Sequence, residues 1–141
     1  MRKTLFLLGR AIFGGYFVYT GVNHFLNTKM MSGYAASKGT PAPDAAVLGT
    51  GALMIAGGAS VLAGMKPRNG LAALIGFLIP ASFVMHGFWK EEGEAQHADM
   101  VNFTKNMALV GAMLMLMQLD APWPVSAEGA VRTMRYLPHA A

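Results

Sequence analysis

Four apolar runs, each close to 20 residues long, limit this chain to very few folds. A helix needs about 20 residues to cross the hydrocarbon core of a bilayer. Lipid tolerates only helices or closed barrels, because every backbone polar group must be paired. Four segments cannot close a barrel, so the sequence predicts an all-α fold, an integral membrane four-helix antiparallel bundle. The expected spans are residues 5–25, 45–64, 71–89 and 101–119.

The composition agrees with a membrane protein. Only 13% of the residues are charged and 54% are hydrophobic, whereas a soluble domain carries about 25% charged residues. The chain has no cysteine, which excludes disulfides and thiol chemistry. Its net charge of +4 is not clustered into a basic patch, so we expect the lipid bilayer as a partner and no nucleic acid.

The positive residues predict an orientation. Positive side chains are enriched on the cytoplasmic side of membrane proteins. Because Arg10 interrupts the first run, we interpret that run as a retained span rather than a signal peptide. We therefore expect residues 1–119 to form the domain in the cell's inner (plasma) membrane, with both termini and the tail, residues 120–141, cytoplasmic. Six positive residues would lie inside and three outside: Arg2, Lys3, Lys66, Arg68, Arg132 and Arg135 against Lys29, Lys38 and Lys90.

Small residues and one proline indicate how the helices pack. Helices in lipid approach closely where small side chains repeat every four residues. In the second run this pattern predicts a packing stripe, and the first run offers two candidate pairs for close contacts, Ala11 with Gly15 and Gly14 with Gly21. Pro80 should kink the third run. The predicted stripe consists of Ala52, Ala56, Ser60 and Gly64.

Polar residues at the outer ends of three runs need an explanation, because ionisable groups inside spans are costly and usually functional. They converge on one membrane face and form our candidate ligand-binding set. Arg10, deeper in the first run, is expected to be a structural buried charge. The candidate set is His24, His86, Trp89, Asn102, Lys105 and Asn106.

Each member of this set also has a structural interpretation. Trp89 suits an interface anchor, Lys105 can extend towards the headgroups, and the histidines can bond to backbone carbonyls or to each other. Arg10 can pair with Asp120. The joint pattern favours a site for the carbonyl oxygens of a quinone or another small polar headgroup. Haem b held by the two histidines is a weaker alternative, and we predict no metal site.

Three stretches resemble one family of membrane proteins. "LGRAIFGGYFVYTGVNHF" (8–25), "MHGFW" (85–89) and "NFTKNMALVGAMLML" (102–116) are similar to the first helix, the end of the third and the start of the fourth in the DoxX family of small four-helix membrane proteins. Two positions depart from the family pattern. Ala112 replaces a second glycine, and residues 90–93 replace an Asp-Pro stretch, which weakens inference about the outer loop.

The resemblance implies a role beside redox enzymes. The family name comes from a subunit linked to a terminal quinol oxidase, and relatives are associated with quinone-linked sulfur oxidation and with oxidative-stress complexes. It implies an accessory subunit of a quinone-linked redox or electron-transfer complex, with other membrane subunits as partners. One alternative is a purely structural subunit, with Trp123 and Tyr136 of the tail as contacts. A stand-alone quinone-dependent oxidoreductase is the least favoured, since we identify no catalytic residue.

Overall fold

The protein is almost entirely helical. The computed structural model describes residues 2–136, and no strand occurs within them. This confirms the all-α fold class. A single turn of 3₁₀ helix, Phe88–Lys90, follows the fourth helix. The α-helices are α1 (Arg2–Leu26), α2 (Thr28–Ser37), α3 (Pro43–Ala63), α4 (Pro67–Met85), α5 (Gly93–Leu116) and α6 (Ala127–Tyr136).

Three segments are long and apolar enough to cross a membrane: Arg2–Leu26, Pro43–Ala63 and Pro67–Lys90. α5 is long enough, with 24 residues, but its first half is polar, so its crossing of the membrane stays a prediction. The long helices pack in the order α1, α3, α4, α5. α3 and α4 are antiparallel because Gly64 and Lys66, both with positive φ, form a tight turn between them.

The closest helix contact joins α1 to α3 through facing glycines. A Cβ atom added to Gly14 would lie 2.8 Å from the Gly58 carbonyl oxygen, and one added to Gly21 would lie 2.7 Å from that of Gly51. Such distances leave no room for any side chain. The close contact expected of Gly14 and Gly21 is therefore what the structure shows, and close backbone approach of this kind is how helices gain packing energy in lipid. The other expected pair is wrong, because Ala11 is exposed and nothing lies within 4 Å of a Cβ position on Gly15.

The predicted stripe on the second run is wrong for its first two members. Ala52 and Ala56 are exposed, and the close contacts of α3 are made instead by Gly51, Gly57 and Gly58. Gly57 faces Gly70 of α4, at 2.9 Å from a Cβ position to the carbonyl oxygen. Spacing by four identified small residues but could not choose between two neighbouring faces of one helix.

Helices also occupy two regions that we expected to be loops. α2 lies in the polar connection between the first two runs and packs on α3, with Ser32 and Ala35 buried. α5 begins at Gly93, well before residue 101, and its first turn holds Glu94, an acidic residue that favours a helix N-terminus. Asn102 and Asn106 therefore lie in the middle of a helix and not in its first turns.

The segment after α5 folds back onto the start of α1. Trp123 is 2% exposed and meets the ring of Phe6 edge-on, with centroids 5.3 Å apart. Arg10 donates hydrogen bonds to the carbonyl oxygens of Pro124 and Val125 at 3.1 and 2.8 Å, and not to Asp120. Both ends of the described chain therefore lie at the same end of the bundle. The side chain of Tyr136 and residues 137–141 lie outside the described part.

Replacing Gly21 by alanine should loosen the contact between α1 and α3. The added methyl group collides with backbone of α3, and overpacking of this kind costs about 1–3 kcal/mol. Gly15→Ala is the matched control on the same helix, since nothing lies within 4 Å of its Cβ position. The apparent melting temperature in detergent should fall for Gly21→Ala only, and equal behaviour of the two variants would contradict the packing.

The proposed orientation can be read by labelling single cysteines, because the natural chain has none. Glu94→Cys and Ala130→Cys place thiols at exposed positions near opposite ends of the bundle. A membrane-impermeant maleimide applied to intact spheroplasts should label the cysteine at 94 and not the one at 130. Labelling at 130 alone would invert the orientation, and labelling of both thiols from one side would exclude a membrane-spanning α5.

Candidate functional site

A large cavity lies between the helices, towards the end of the bundle opposite the tail. Its volume is about 810 Å³, and residues of α1 to α5 line it. Most of the lining is apolar, with Phe17, Met54, Leu78 and Leu109 among its residues. Pockets for small molecules typically measure about 300–1,000 Å³ and combine an apolar wall with a few polar groups. This cavity has both properties.

Three of the six candidate residues line the cavity, namely His24, His86 and Asn106. They come from three different helices or helix ends, α1, the residue after α4, and α5. Their convergence was expected from their common depth. Arg10 is half-buried at the opposite end of the bundle, against the tail. The ligand-binding role of the three cavity residues stays a prediction at this point.

The remaining candidates, Trp89, Asn102 and Lys105, do not line the cavity. Trp89 is half exposed and belongs to an aromatic cluster with Phe83, Phe88 and Phe103, whose ring centroids lie 5.2–5.8 Å apart. These rings pack on one another. Asn102 is half-buried and Lys105 exposed.

His24 is held by its own helix. Its Nδ1 lies 2.8 Å from the carbonyl oxygen of Thr20. A carbonyl oxygen can only accept a hydrogen bond, so Nδ1 carries the hydrogen and, in the neutral ring, Nε2 is an acceptor. The Cβ of His24 packs against Gly51 of α3. The glycine contact between α1 and α3 thus places this histidine at the cavity wall.

His86 joins the cavity wall to a polar network. Its Nδ1 lies 3.1 Å from Oδ1 of Asp99, and Oδ2 of the same carboxylate accepts a hydrogen bond from Lys38 at 2.9 Å. Lys38 also donates to Glu91 at 2.7 Å. Asp99 is only 6% exposed. Lys38 follows α2, so this network ties α2 to α5 and to the segment after α4.

The network shifts two pKa values in opposite directions. Burial acts to raise the pKa of Asp99, but hydrogen bonds from His86 and Lys38 outweigh it, and the net effect is a pKa below the usual value. Hydrogen bonds to Glu91 and Asp99 raise the pKa of Lys38. Both shifts favour the charged forms, so the ion pairs persist over the whole physiological pH range.

Asn106 is positioned by α4. Its Nδ2 donates to Oγ of Ser82 at 3.0 Å, and that hydroxyl donates in turn to the carbonyl of Leu78 at 2.6 Å. Ser82 is fully buried. One amide hydrogen and the amide oxygen of Asn106 are left for other partners. No group of three or more His, Cys, Asp or Glu side chains that could hold a metal ion occurs in residues 2–136.

Sequence reasoning missed Lys38 and Asp99. Asp99 precedes residue 101, where we expected the fourth span to begin, and its burial depends on α5 starting at Gly93 and on a lysine 61 residues earlier. A signal was present nevertheless. Asp99, Asn106, Val110 and Met113 follow helical spacing, and all four are buried or half-buried.

Removing the charge of Lys38 should release α2. Lys38→Met leaves the buried Asp99 with one partner fewer, which we expect to cost about 1–3 kcal/mol. A carboxylate with a lowered pKa contributes stability above its ordinary pKa, 3.8, and loses it as the pH falls through the folded-state pKa. The deficit of the variant in apparent melting temperature should therefore be large near neutrality and shrink below pH 3.8.

Lys29→Met is the matched control, since this substitution makes the same chemical change at an exposed position of α2. It should melt like the unmodified protein at every pH. Equal losses in both variants, or a deficit for Lys38→Met that does not change with acidification, would contradict the network.

Comparison with known proteins agrees with this architecture. The family model described as DoxX matches residues 5–87, more than half of the chain, although the stretch 102–116 lies outside the match. The chain is also 25% identical over 127 residues to the inner membrane protein YphA of Escherichia coli (strain K12), which covers 90% of each protein. No solved structure gives a significant match. The chain belongs to the DoxX family.

Proposed function

We propose that the cavity binds a small molecule with an apolar body and a polar head, of the quinone or lipid-headgroup type, near the outer membrane face. We further propose that the protein serves as an accessory subunit of a quinone-linked redox or electron-transfer complex. The observation that carries the first part is the cavity itself, a large apolar space whose polar groups gather at one end.

The size and lining of the space support an occupant. It measures about 810 Å³ and opens at the surface of the bundle, so lipid chains or a ligand can enter it. An apolar wall favours an apolar occupant over ordered water, which needs several polar partners.

The polar lining argues for an occupant with a polar head. An acyl chain satisfies the apolar wall but offers nothing to His24, His86 or Asn106. A quinone-type molecule presents oxygens at its ring and an apolar tail, which suits both parts of the wall. The three polar side chains would bind and orient the head, and α2, with Met31 and Tyr34 in the lining, would cover it.

The accessory role rests on the resemblance to the DoxX family and on the placement of the cavity. When bound, a quinone would supply electron transfer, and the residues described here would hold its ring. Lys38, Asp99 and Glu91 would keep the outer end closed and charged. A partner subunit would exchange electrons with the bound molecule.

A purely structural subunit is the second candidate function, and one observation favours it. Lys105 is exposed on α5 although it lies three turns into that helix. A charged side chain within a span prefers a protein partner or water to lipid. Contact of this face with a neighbouring subunit would satisfy it without any ligand.

Binding of decyl-substituted benzoquinone tests the ligand proposal. The full-length protein in nanodiscs should bind the benzoquinone or its reduced quinol saturably, and His24→Phe should weaken binding of the form that hydrogen-bonds to His24 about fivefold, the loss of one hydrogen bond of about 1 kcal/mol. His97→Phe is the matched control, because His97 is exposed in the first half of α5 and away from the cavity. Equilibrium dialysis followed by extraction of the quinone measures binding by the unmodified protein and by the two variants.

The outcomes separate the two candidate functions. Absence of saturable binding, with no quinone or lipid retained after purification, would refute the ligand proposal. Retention of partner subunits by the unmodified protein and their loss in Lys105→Glu would then favour the structural one. A Soret band in the purified protein would instead identify haem b.

A further inference from the structure

The cavity wall presents more hydrogen-bond acceptors than donors to a ligand. His24 donates Nδ1–H to its own helix, and His86 donates Nδ1–H to the Asp99 carboxylate, which cannot donate in its charged form. In neutral rings both Nε2 atoms are therefore acceptors. Neither Nε2 forms a hydrogen bond within residues 2–136, and both rings line the cavity.

Two threonine hydroxyl groups also line the cavity. Thr50 donates its hydroxyl hydrogen to the carbonyl of Ala46 at 2.7 Å, and Thr40 directs its hydroxyl to the sulfur of Met85 at 3.8 Å. The carbonyl of Ala46 occupies the single hydrogen of the Thr50 hydroxyl, so the Thr50 oxygen is left to accept from a ligand, whereas the Thr40 hydroxyl, whose sulfur contact is weak, can either accept or donate.

A backbone group adds to the acceptors. Pro80 has no N–H, so it cannot donate to the carbonyl of Gly76 as residue i+4 of a helix normally does. Both residues line the cavity. The donors that balance these acceptors are few: the second amide hydrogen of Asn106 and the hydroxyls of Tyr16 and Tyr34, which are exposed.

We infer that the cavity selects a ligand that donates hydrogen bonds through hydroxyl groups, which for a quinone-type ligand is the reduced quinol rather than the quinone. The inference rests on the proposed function and sharpens its ligand class. A quinol offers two hydroxyl hydrogens to a wall rich in acceptors. A quinone offers only carbonyl oxygens, which would face the lone pairs of His24 and His86.

Three probes with the same ring skeleton and the same decyl tail test the inference. They are decyl-substituted benzoquinol, the corresponding benzoquinone, and the dimethyl ether of the quinol, which keeps the ring but has no hydroxyl hydrogen. Dissociation constants are measured anaerobically by equilibrium dialysis at about pH 8, where free imidazole is neutral. The quinol should bind at least about tenfold more tightly than either other probe, as two extra hydrogen bonds require.

The variants assign the preference to named groups. His24→Phe should reduce the ratio of quinol affinity to quinone affinity about fivefold while leaving the dissociation constant of the quinone unchanged. His97→Phe should change neither dissociation constant. The comparison of the three probes on the unmodified protein decides the inference, so the outcome does not depend on whether a variant folds.

The outcomes are distinct from those of the proposed function. Equal or tighter binding of the quinone overturns the selection for donors and leaves the ligand proposal standing. Binding of the ether as tight as the quinol also overturns it, because shape alone would then explain affinity. If none of the three probes binds, the proposed function fails and the inference fails with it.

Discussion

The contact between α1 and α3 determines where the rest of the structure can lie. Four glycines, Gly14 and Gly21 on α1 and Gly51 and Gly58 on α3, let the two backbones meet at distances that exclude a Cβ atom. In lipid no hydrophobic effect drives helices together, so packing at this distance supplies much of the association energy. It also fixes the rotation of α1, and hence the side on which Phe17 is buried and His24 meets the cavity.

The two ends of the bundle solve the problem of unpaired polar groups differently. At the tail end, Arg10 meets no carboxylate within residues 2–136 and instead donates to two backbone carbonyls of the segment that returns after α5. At the other end, charges pair with charges through Lys38, Asp99 and Glu91. The first arrangement closes the bundle, whereas the second reaches the cavity wall only through His86 and ties α2 down with ion pairs that water can reach at Glu91, 34% exposed.

The sequence was sufficient for features that depend on local spacing. The 20-residue rule predicts a membrane bundle, and the depth of His24, His86 and Asn106 within their runs predicts that they converge. It was insufficient where the deciding partner is distant. Asp99 is paired with a lysine 61 residues away, and Arg10 with carbonyls 114 and 115 residues away. α2 was missed because a helix of ten residues is marginal by itself and is stabilised by packing on α3.

The helix order bears on how a ligand would reach the cavity. α1 and α5 both contribute to its lining but do not pack extensively on each other, since the helix order runs α1, α3, α4, α5. Under the proposed function, a quinone-type molecule would come from the bilayer and not from water, and entry on the side where α1 and α5 are not packed extensively on each other would break no ion pair. Entry under α2 would require Lys38 to leave two carboxylates. The lateral route is therefore the less costly, and it would deliver the polar head last to the end where His24 and His86 lie.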